Sequence, residues 1–290
     1  LRQAGICMSD GQVGDSLFSS LHSSYREQLS EQDFDRLSKF IYSVAGIKLP
    51  PVKRIMLQSR LQKRLRALDI PDFKTYTDYV TSAVLDVVST NKTDFFREPV
   101  HFDYLREVVL PDFVSEGKQR MLKIWSAGCS SGEEPYTIAI VVKEFLERHP
   151  GYDFSILGTD ISTQILSVAV NAVYKEERVA DIPLELKRKY FLRSKDREKA
   201  TVRVVPELRR KCTFMRLNFM DENYRVPDVY DVVFCRNVLI YFDRKTQEEV
   251  IRKLCGRLKT GGNFFLGHSE SVMNMDLPLR QLRPTIFVKE

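Results

Sequence analysis

The stretch Trp125-Ser126-Ala127-Gly128-Cys129-Ser130-Ser131-Gly132-Glu133-Glu134-Pro135 constrains this chain most. An apolar run, Met121 to Trp125, leads into it, and a helical pattern, Tyr136 to Leu146, leads out. A strand, a turn of small residues and a helix present backbone N–H groups and a helix N-terminus to a ligand. Two chemistries fit this turn. Gly128 and Gly132 suit a nucleotide-type cofactor. The same residues spell Gly-x-Ser-x-Gly, the nucleophile elbow of serine hydrolases.

The remainder of the 290 residues narrows the class. Hydrophobic content of 43% and charged content of 29% are those of a soluble globular protein. No apolar run approaches the roughly 20 residues that span a bilayer, so no membrane insertion is expected. Leu1 to Ser24 lacks the apolar core of a signal peptide and reads as a flexible tail. Five scattered cysteines with no Cys-x-x-Cys pair, and only four histidines, argue against zinc; no metal site is expected. The odd cysteine count fits a reducing compartment, hence the cytoplasm.

Net charge is +6, unevenly spread. Between Lys48 and Leu68 stand seven basic residues and no acidic one. That is a local basic surface suited to an anionic partner.

From residue 30 to about 90 the pattern is helical. Ser30 and Asp33 form an N-terminal cap, Phe34, Leu37, Phe40, Ile41 and Val44 follow at helical spacing, and Gly46 ends the run. A second helix runs from about Val52 to Leu68, with Leu57, Leu61, Leu65 and Leu68 on one stripe. Lys53, Arg60, Lys63 and Arg64 cluster on the adjacent arc. A third helix starts at Pro71-Asp72, and a fourth lies around Ala83 to Ser89. A helix from Val100 to about Val114 comes next.

Strand and helix patterns then alternate. Strands are expected at Leu122–Ser126, Phe154–Thr159, Asp231–Cys235, Asn263–Gly267 and Thr285–Lys289, the last two as an antiparallel hairpin. Helices are expected at Glu134–Arg148, Thr163–Ala172 and Lys245–Leu258. This alternation predicts a parallel sheet with helices on both faces. The stretch from Tyr174 to Phe214 breaks it with a short helix and β-rich pieces, including Cys212–Met215, and reads as an inserted β subdomain.

Strand position decides between the two chemistries. A triad of Ser130, Asp160 or Asp231, and His268 would follow the α/β-hydrolase order, but that elbow follows a mid-sheet strand. Here everything before Leu122 reads helical, so the turn follows the first strand, where doubly wound sheets bind cofactors. The second strand ends Gly158-Thr159-Asp160, which places an acid for ribose hydroxyls or for capping the next helix.

Several stretches together resemble the bacterial chemotaxis receptor methyltransferases of the CheR type. They are Asn91-x-Thr93-x-Phe95-Phe96-Arg97-Glu98; Trp125-Ser126-Ala127 through Ser131-Gly132-Glu133-Glu134-Pro135-Tyr136; Gly158-Thr159-Asp160-Ile161; Phe234-Cys235-Arg236-Asn237-Val238 through Ile240-Tyr241-Phe242-Asp243; and Gly267-His268-Ser269-Glu270. The likeness runs from about Ser30 to Lys289.

The resemblance implies an α/β fold: a Rossmann-like S-adenosylmethionine-dependent methyltransferase domain with an inserted small antiparallel β subdomain, preceded by an all-α domain. The implied organisation is a tail at 1–24, a receptor-recognising helical domain at 25–90 and a linker at 91–99 that contributes to the cofactor site. A methyltransferase domain at 100–290, with its insert at 174–214, completes it. S-adenosylmethionine is the implied cofactor and S-adenosylhomocysteine the product. The implied substrate is a glutamate side chain on the cytoplasmic helical bundle of a chemoreceptor. Cofactor contacts map to Asn91, Thr93, Arg97, Ala127, Glu134, Asp160, Asn218, Phe219, Arg236 and Asn237. Arg97 and Tyr241 map as the residues that position the reacting groups. Lys53, Arg60, Lys63 and Arg64 would meet the acidic receptor helices. A nucleic-acid methyltransferase is the rival reading; the segment Arg236 to Tyr241 carries neither a Pro-Pro-Tyr nor a Pro-Cys signature, so no nucleic-acid partner is expected. Family members that dock on a receptor's C-terminal pentapeptide have a glycine-rich loop in the β subdomain. The corresponding Ser194 to Thr201 has no glycine, so tether binding is not expected.

Overall fold

The computed structural model describes residues 28–290 apart from 69, 71, 80–92, 118–120 and 197. The expected tail, the helix expected at Ala83–Ser89 and the site residue Asn91 lie outside the described residues. The chain forms two compact units: one takes in residues up to Ser43 and resumes at Leu49, and the other joins Val44–Lys48 to the chain that follows the first unit.

The first unit is helical. Helix α1 (Glu31–Ala45) is capped by Ser30, whose Oγ accepts the Asp33 amide at 3.0 Å and donates to Asp33 Oδ2 at 2.6 Å. A 3₁₀ turn, Pro51–Lys53, leads into α2 (Arg54–Leu68). Asp72 Oδ1 accepts the Thr75 amide at 2.6 Å and starts α3 (Phe73–Tyr79). Leu57, Leu61 and Leu65 are buried, as are Phe34, Leu37, Ile41, Phe73 and Tyr76. Each contributes roughly 1.5–3 kcal/mol by leaving water. Leu68, at the helix end, departs from the expected stripe and is 38% exposed.

The second unit opens with α4 (Val100–Tyr104) and α5 (Leu110–Glu116), joined by a π turn at Leu105–Val109. The Leu110 amide reaches the Leu105 carbonyl, five residues back. Pro111 follows directly and brings no N–H to the ladder.

Then come β1 (Met121–Ala127), α6 (Glu133–Leu146), β2 (Asp153–Asp160) and α7 (Thr163–Asn171). The insert holds β3 (Val173–Lys175), a 3₁₀ turn at Glu176–Val179, α8 (Leu184–Tyr190), β4 (Phe191–Arg193) and β5 (Thr201–Val204). After it run α9 (Pro206–Arg209), β6 (Cys212–Arg216), β7 (Tyr230–Cys235) and α10 (Arg244–Cys255). The chain closes with β8 (Leu258–Leu266), β9 (Leu279–Arg283) and β10 (Ile286–Lys289).

The main sheet has the order β6-β2-β1-β7-β8-β10-β9, and β3-β5-β4 form a separate antiparallel sheet. From β6 to β8 the strands are parallel. Alternate residues of each strand enter different cores. Ile124, Ile156, Val232 and Phe234 join one cluster; Trp125, Leu157, Val233 and Cys235 join the other.

Two details differ from expectation. The Cys212–Met215 piece leaves the insert and pairs with β2 in the main sheet. Gly158 makes room for this: a Cβ there would meet the Phe214 ring at 2.6 Å. The C-terminal hairpin also gains β9, which pairs with β10, while β10 pairs with β8 on its other side.

Candidate active site

The chain runs outward from β1 to β2 and β6, then returns to lay β7 on the other side of β1. The carboxyl ends of β1 and β7 therefore flank the switch point, the place where open α/β sheets hold ligands.

The turn after β1 is tight. The amides of Gly128 and Cys129 both bond the Thr159 carbonyl, at 2.8 and 2.9 Å. Ala127 is fully buried at the strand end. Gly132 has φ +94°, and a Cβ there would stand 2.9 Å from the Ala169 Cβ, so only glycine fits. Asp160 holds the turn from the neighbouring strand: Oδ2 accepts the Ser130 amide at 2.9 Å and Oδ1 the Ser162 amide at 3.1 Å. Ser162, not Asp160, caps α7 by accepting the Ile165 amide.

The hydrolase triad with Asp231 does not assemble. Asp231 lies at the other end of β7, bonded to the Lys123 amide and the Lys259 ammonium. The His268 ring packs against His101, with centroids 5.2 Å apart. Burial pushes the thiols of Cys129 and Cys235 well above their usual range, so neither is a thiolate at neutral pH.

On the other side of the switch point Arg236, its side chain 2% exposed, bridges two carboxylates. It donates to Glu134 Oε2 at 3.0 Å, to Glu98 Oε2 at 3.0 Å and to the Arg97 carbonyl. Glu134 Oε1 accepts the Ser126 hydroxyl at 2.6 Å. Asn237, at φ +59°, donates through Nδ2 to Glu98 Oε1 at 3.0 Å. Glu134, Glu98 and the Arg97 carbonyl thus meet at Arg236, and Asn237 joins them through Glu98. Phe96 and Glu98, which flank Arg97, have φ of +54° and +57°. Such left-handed conformations cost about 1 kcal/mol or more each and concentrate at functional sites.

Two further segments border this end of the sheet. The Leu217 amide bonds the Asp160 carbonyl at 2.9 Å, which brings Asn218 and Phe219 alongside. Asn218 Nδ2 donates to the Val44 carbonyl at 2.7 Å, and Phe219 packs edge-on against Phe242. Tyr241 ends a 3₁₀ turn, Leu239–Tyr241, and its carbonyl accepts the Lys48 amide at 3.0 Å. The Thr93 carbonyl accepts from Arg178. Lys53, Arg60, Lys63 and Arg64 belong to the helical unit. Lys53 and Lys63 are exposed; Arg60 and Arg64 are half-buried, and Arg64 lies beside the buried Tyr76 hydroxyl.

Two glutamates of this site were not picked out from sequence. Glu98 holds Arg236 and Asn237; its signal was its place directly after Arg97. Glu270 is buried and accepts four backbone amides: Gly267 at 2.7 Å, Asn237 at 3.0 Å, Val238 at 2.9 Å and Leu239 at 2.7 Å. Its signal was the quoted stretch Gly267 to Glu270.

Comparison with known proteins bears on this geometry. Residues 91–288 match the family model for the CheR methyltransferase SAM binding domain, and residues 32–86 match the CheR methyltransferase all-alpha domain. The chain belongs to the CheR methyltransferase family. It is 36% identical over 273 residues to a chemotaxis protein methyltransferase of Borreliella burgdorferi, covering 90% of this chain and 95% of that one. It is 36% identical to the Salmonella typhimurium protein of the same description (88% and 89% covered) and 36% identical to that of Escherichia coli (88% and 90%). CheR proteins are S-adenosylmethionine-dependent methyltransferases that esterify chemoreceptor glutamates, and this chain is one of them.

The residues at the switch point fit that cofactor. Glu98, Glu134 and Asp160 gather three carboxylates at this end of the sheet, the sign of charge that a cofactor bearing a sulfonium and an ammonium group would call for. Arg236 Nε is buried without a hydrogen-bond partner among the described residues, a donor that the cofactor's carboxylate would satisfy.

Proposed function

We propose that the ends of β1, β2, β6 and β7 seat S-adenosylmethionine, and that Arg97 and Tyr241 align a receptor glutamate with it. The observation that carries this reading is the Arg236 bridge between Glu98 and Glu134 beside the Gly128–Gly132 turn. Thr93, Arg97, Ala127, Glu134, Asp160, Asn218, Phe219, Arg236 and Asn237 line the seat, and Asn91, outside the described residues, joins them in this reading on the motif resemblance alone.

When bound, the cofactor supplies an electrophilic methyl group on sulfur. The chain does not have to supply a strong base, because a glutamate carboxylate is already ionised at neutral pH. Opposite charges vanish in the reaction, so a strongly polar environment at the reacting atoms would favour reactants. The chain's task is alignment and exclusion of water. Arg97, presented between two left-handed residues and held by its carbonyl, is placed for alignment.

The basic arc of α2 serves the acidic receptor helices, through attraction that weakens with salt. Among the described residues no helix is long and apolar enough to cross a membrane. We place the enzyme in the cytoplasm, where the receptor's helical bundle lies. The glycine-free loop between β4 and β5 supports action without the pentapeptide tether. Calorimetry with an Asn-Trp-Glu-Thr-Phe peptide is expected to show no binding; tight binding would refute tether independence.

The experiment for the reaction uses radiolabelled S-adenosylmethionine and receptor cytoplasmic fragments. Label released as volatile methanol by base marks a methyl ester. Arg97→Ala is expected to cripple this transfer while the protein stays folded. Base-stable label, or wild-type rates from Arg97→Ala, contradicts the reading.

A further inference from the structure

Residues 93–98, which carry Thr93 and Arg97, are gripped at both ends by arginines. Arg236 takes the far end, through the Arg97 carbonyl and Glu98. At the near end Arg178 donates to the Thr93 carbonyl and, at 2.9 Å, to Asp94 Oδ1. Each arginine is tied in turn to one of two consecutive glutamates in the first turn of α6. Arg236 pairs with Glu134, and Arg178 Nη2 donates to Glu133 Oε1 at 2.6 Å.

Glu133 is not a surface partner. Its side chain is 2% exposed, and its other oxygen accepts the Ser131 hydroxyl at 2.5 Å. The Glu133 carbonyl accepts the Thr137 hydroxyl at 2.7 Å, and Thr137 Oγ1 accepts the Phe96 amide at 3.2 Å. Arg178, Glu133, Thr137 and the segment therefore form one closed set of bonds. Arg178 does not come from the sheet or from α6. It lies in the 3₁₀ turn that follows β3, inside the inserted β subdomain.

We propose that Arg178 is a positioning residue for the cofactor site, through which the β subdomain holds residues 93–97 in their binding conformation. The subdomain is then part of the methyl-transfer machinery even where no tether docks on it. The inference rests on the cofactor seat proposed above. Only a planar guanidinium reaches a carbonyl and two carboxylates at once; an ammonium keeps the charge opposite Glu133 but not the fork.

The test measures S-adenosylmethionine affinity by calorimetry, KM and kcat for methyl transfer, and melting temperature. Arg178→Ala is expected to weaken cofactor affinity and raise its KM by about tenfold or more, as loss of charge-assisted bonds does. Arg178→Lys is expected to fall between it and wild type. Arg178→Ala also leaves Glu133 buried without its counter-ion, so a second variant separates the roles. In Arg178→Ala/Glu133→Gln the melting temperature is expected to recover and the cofactor affinity to stay low. Affinity restored by the second change shows that Arg178 only neutralises Glu133, and overturns the proposal. Glu134→Gln is run alongside. Unchanged affinity there counts against the seat itself; weakened affinity there with wild-type affinity in Arg178→Ala overturns the Arg178 assignment alone.

Discussion

The two loops at the switch point hang on carboxylates in different ways. The turn after β1 carries its bends in its own backbone, with Gly132 at φ +94° and Ser130 at φ +50°, and rests two amides on the Thr159 carbonyl of β2. Asp160 adds one bond to it from a half-buried position. The loop after β7 has no glycine between Arg236 and Tyr241. Its amides at Asn237, Val238 and Leu239 all converge on the buried Glu270. A turn whose shape is encoded locally tolerates loss of its outside anchor. A loop without local preference depends on the anchor for its conformation.

Replacing Glu270 should break this contrast most visibly. Glu270→Ala leaves buried amides unpaired, at a cost on the order of 4 kcal/mol in unfolding free energy, measured by urea denaturation. Methyl transfer should fall with it, because Asn237 and Tyr241 ride on the same loop. Asp160→Asn should cost only about 1 kcal/mol, since the amide oxygen still accepts one backbone bond. Its larger effect should be on cofactor affinity, read by calorimetry. Equal destabilisation by the two variants would erase the distinction.

The smallest effect is one of pH. Burial raises the Glu270 carboxyl above its usual 4.5, and the four backbone bonds only partly offset this. Between 4.5 and that raised value the folded protein holds more proton than the unfolded chain, so this group's contribution to stability falls as pH rises. Glu98 has the opposite sign. Burial raises its carboxyl too, but bonds from Asn237 and Arg236 outweigh burial and hold it below 4.5. Its contribution is complete above 4.5 and is lost as pH falls through the lowered value. The gap in denaturation midpoint between wild type and Glu270→Gln should move against wild type as pH rises through this window. An identical pH profile would place the titration elsewhere.

This contrast also explains what the sequence made legible. The strand–turn–helix after β1 could be read because its glycines, its apolar run and its helix lie within one short stretch. Arg97, Glu134, Arg236 and Asn237 were named through quoted motifs, and the fold links them through Arg236 and Glu98. Glu270 and Arg178 were not assigned, because, the Gly267 amide apart, their partners lie 31 to 85 residues away and no local pattern marks such a pairing. Strand β9 escaped for a different reason. Leu279–Arg283 reads Leu-Arg-Gln-Leu-Arg, an exposed edge with no buried face, so it lacks the alternation that betrays a strand. Strand β6 showed β character, but its sheet was set by Gly158 on a distant strand, which sequence spacing does not reveal.

On the reading proposed above, the Gly128–Gly132 turn cradles a cofactor and Ser130 is no nucleophile. Steady-state methyl transfer to receptor fragments by Ser130→Ala and Glu134→Gln tests it directly. Ser130→Ala is expected to keep near wild-type turnover, while Glu134→Gln is expected to raise the KM for S-adenosylmethionine by about tenfold or more. Abolished transfer in Ser130→Ala, together with an unchanged KM in Glu134→Gln, would contradict it.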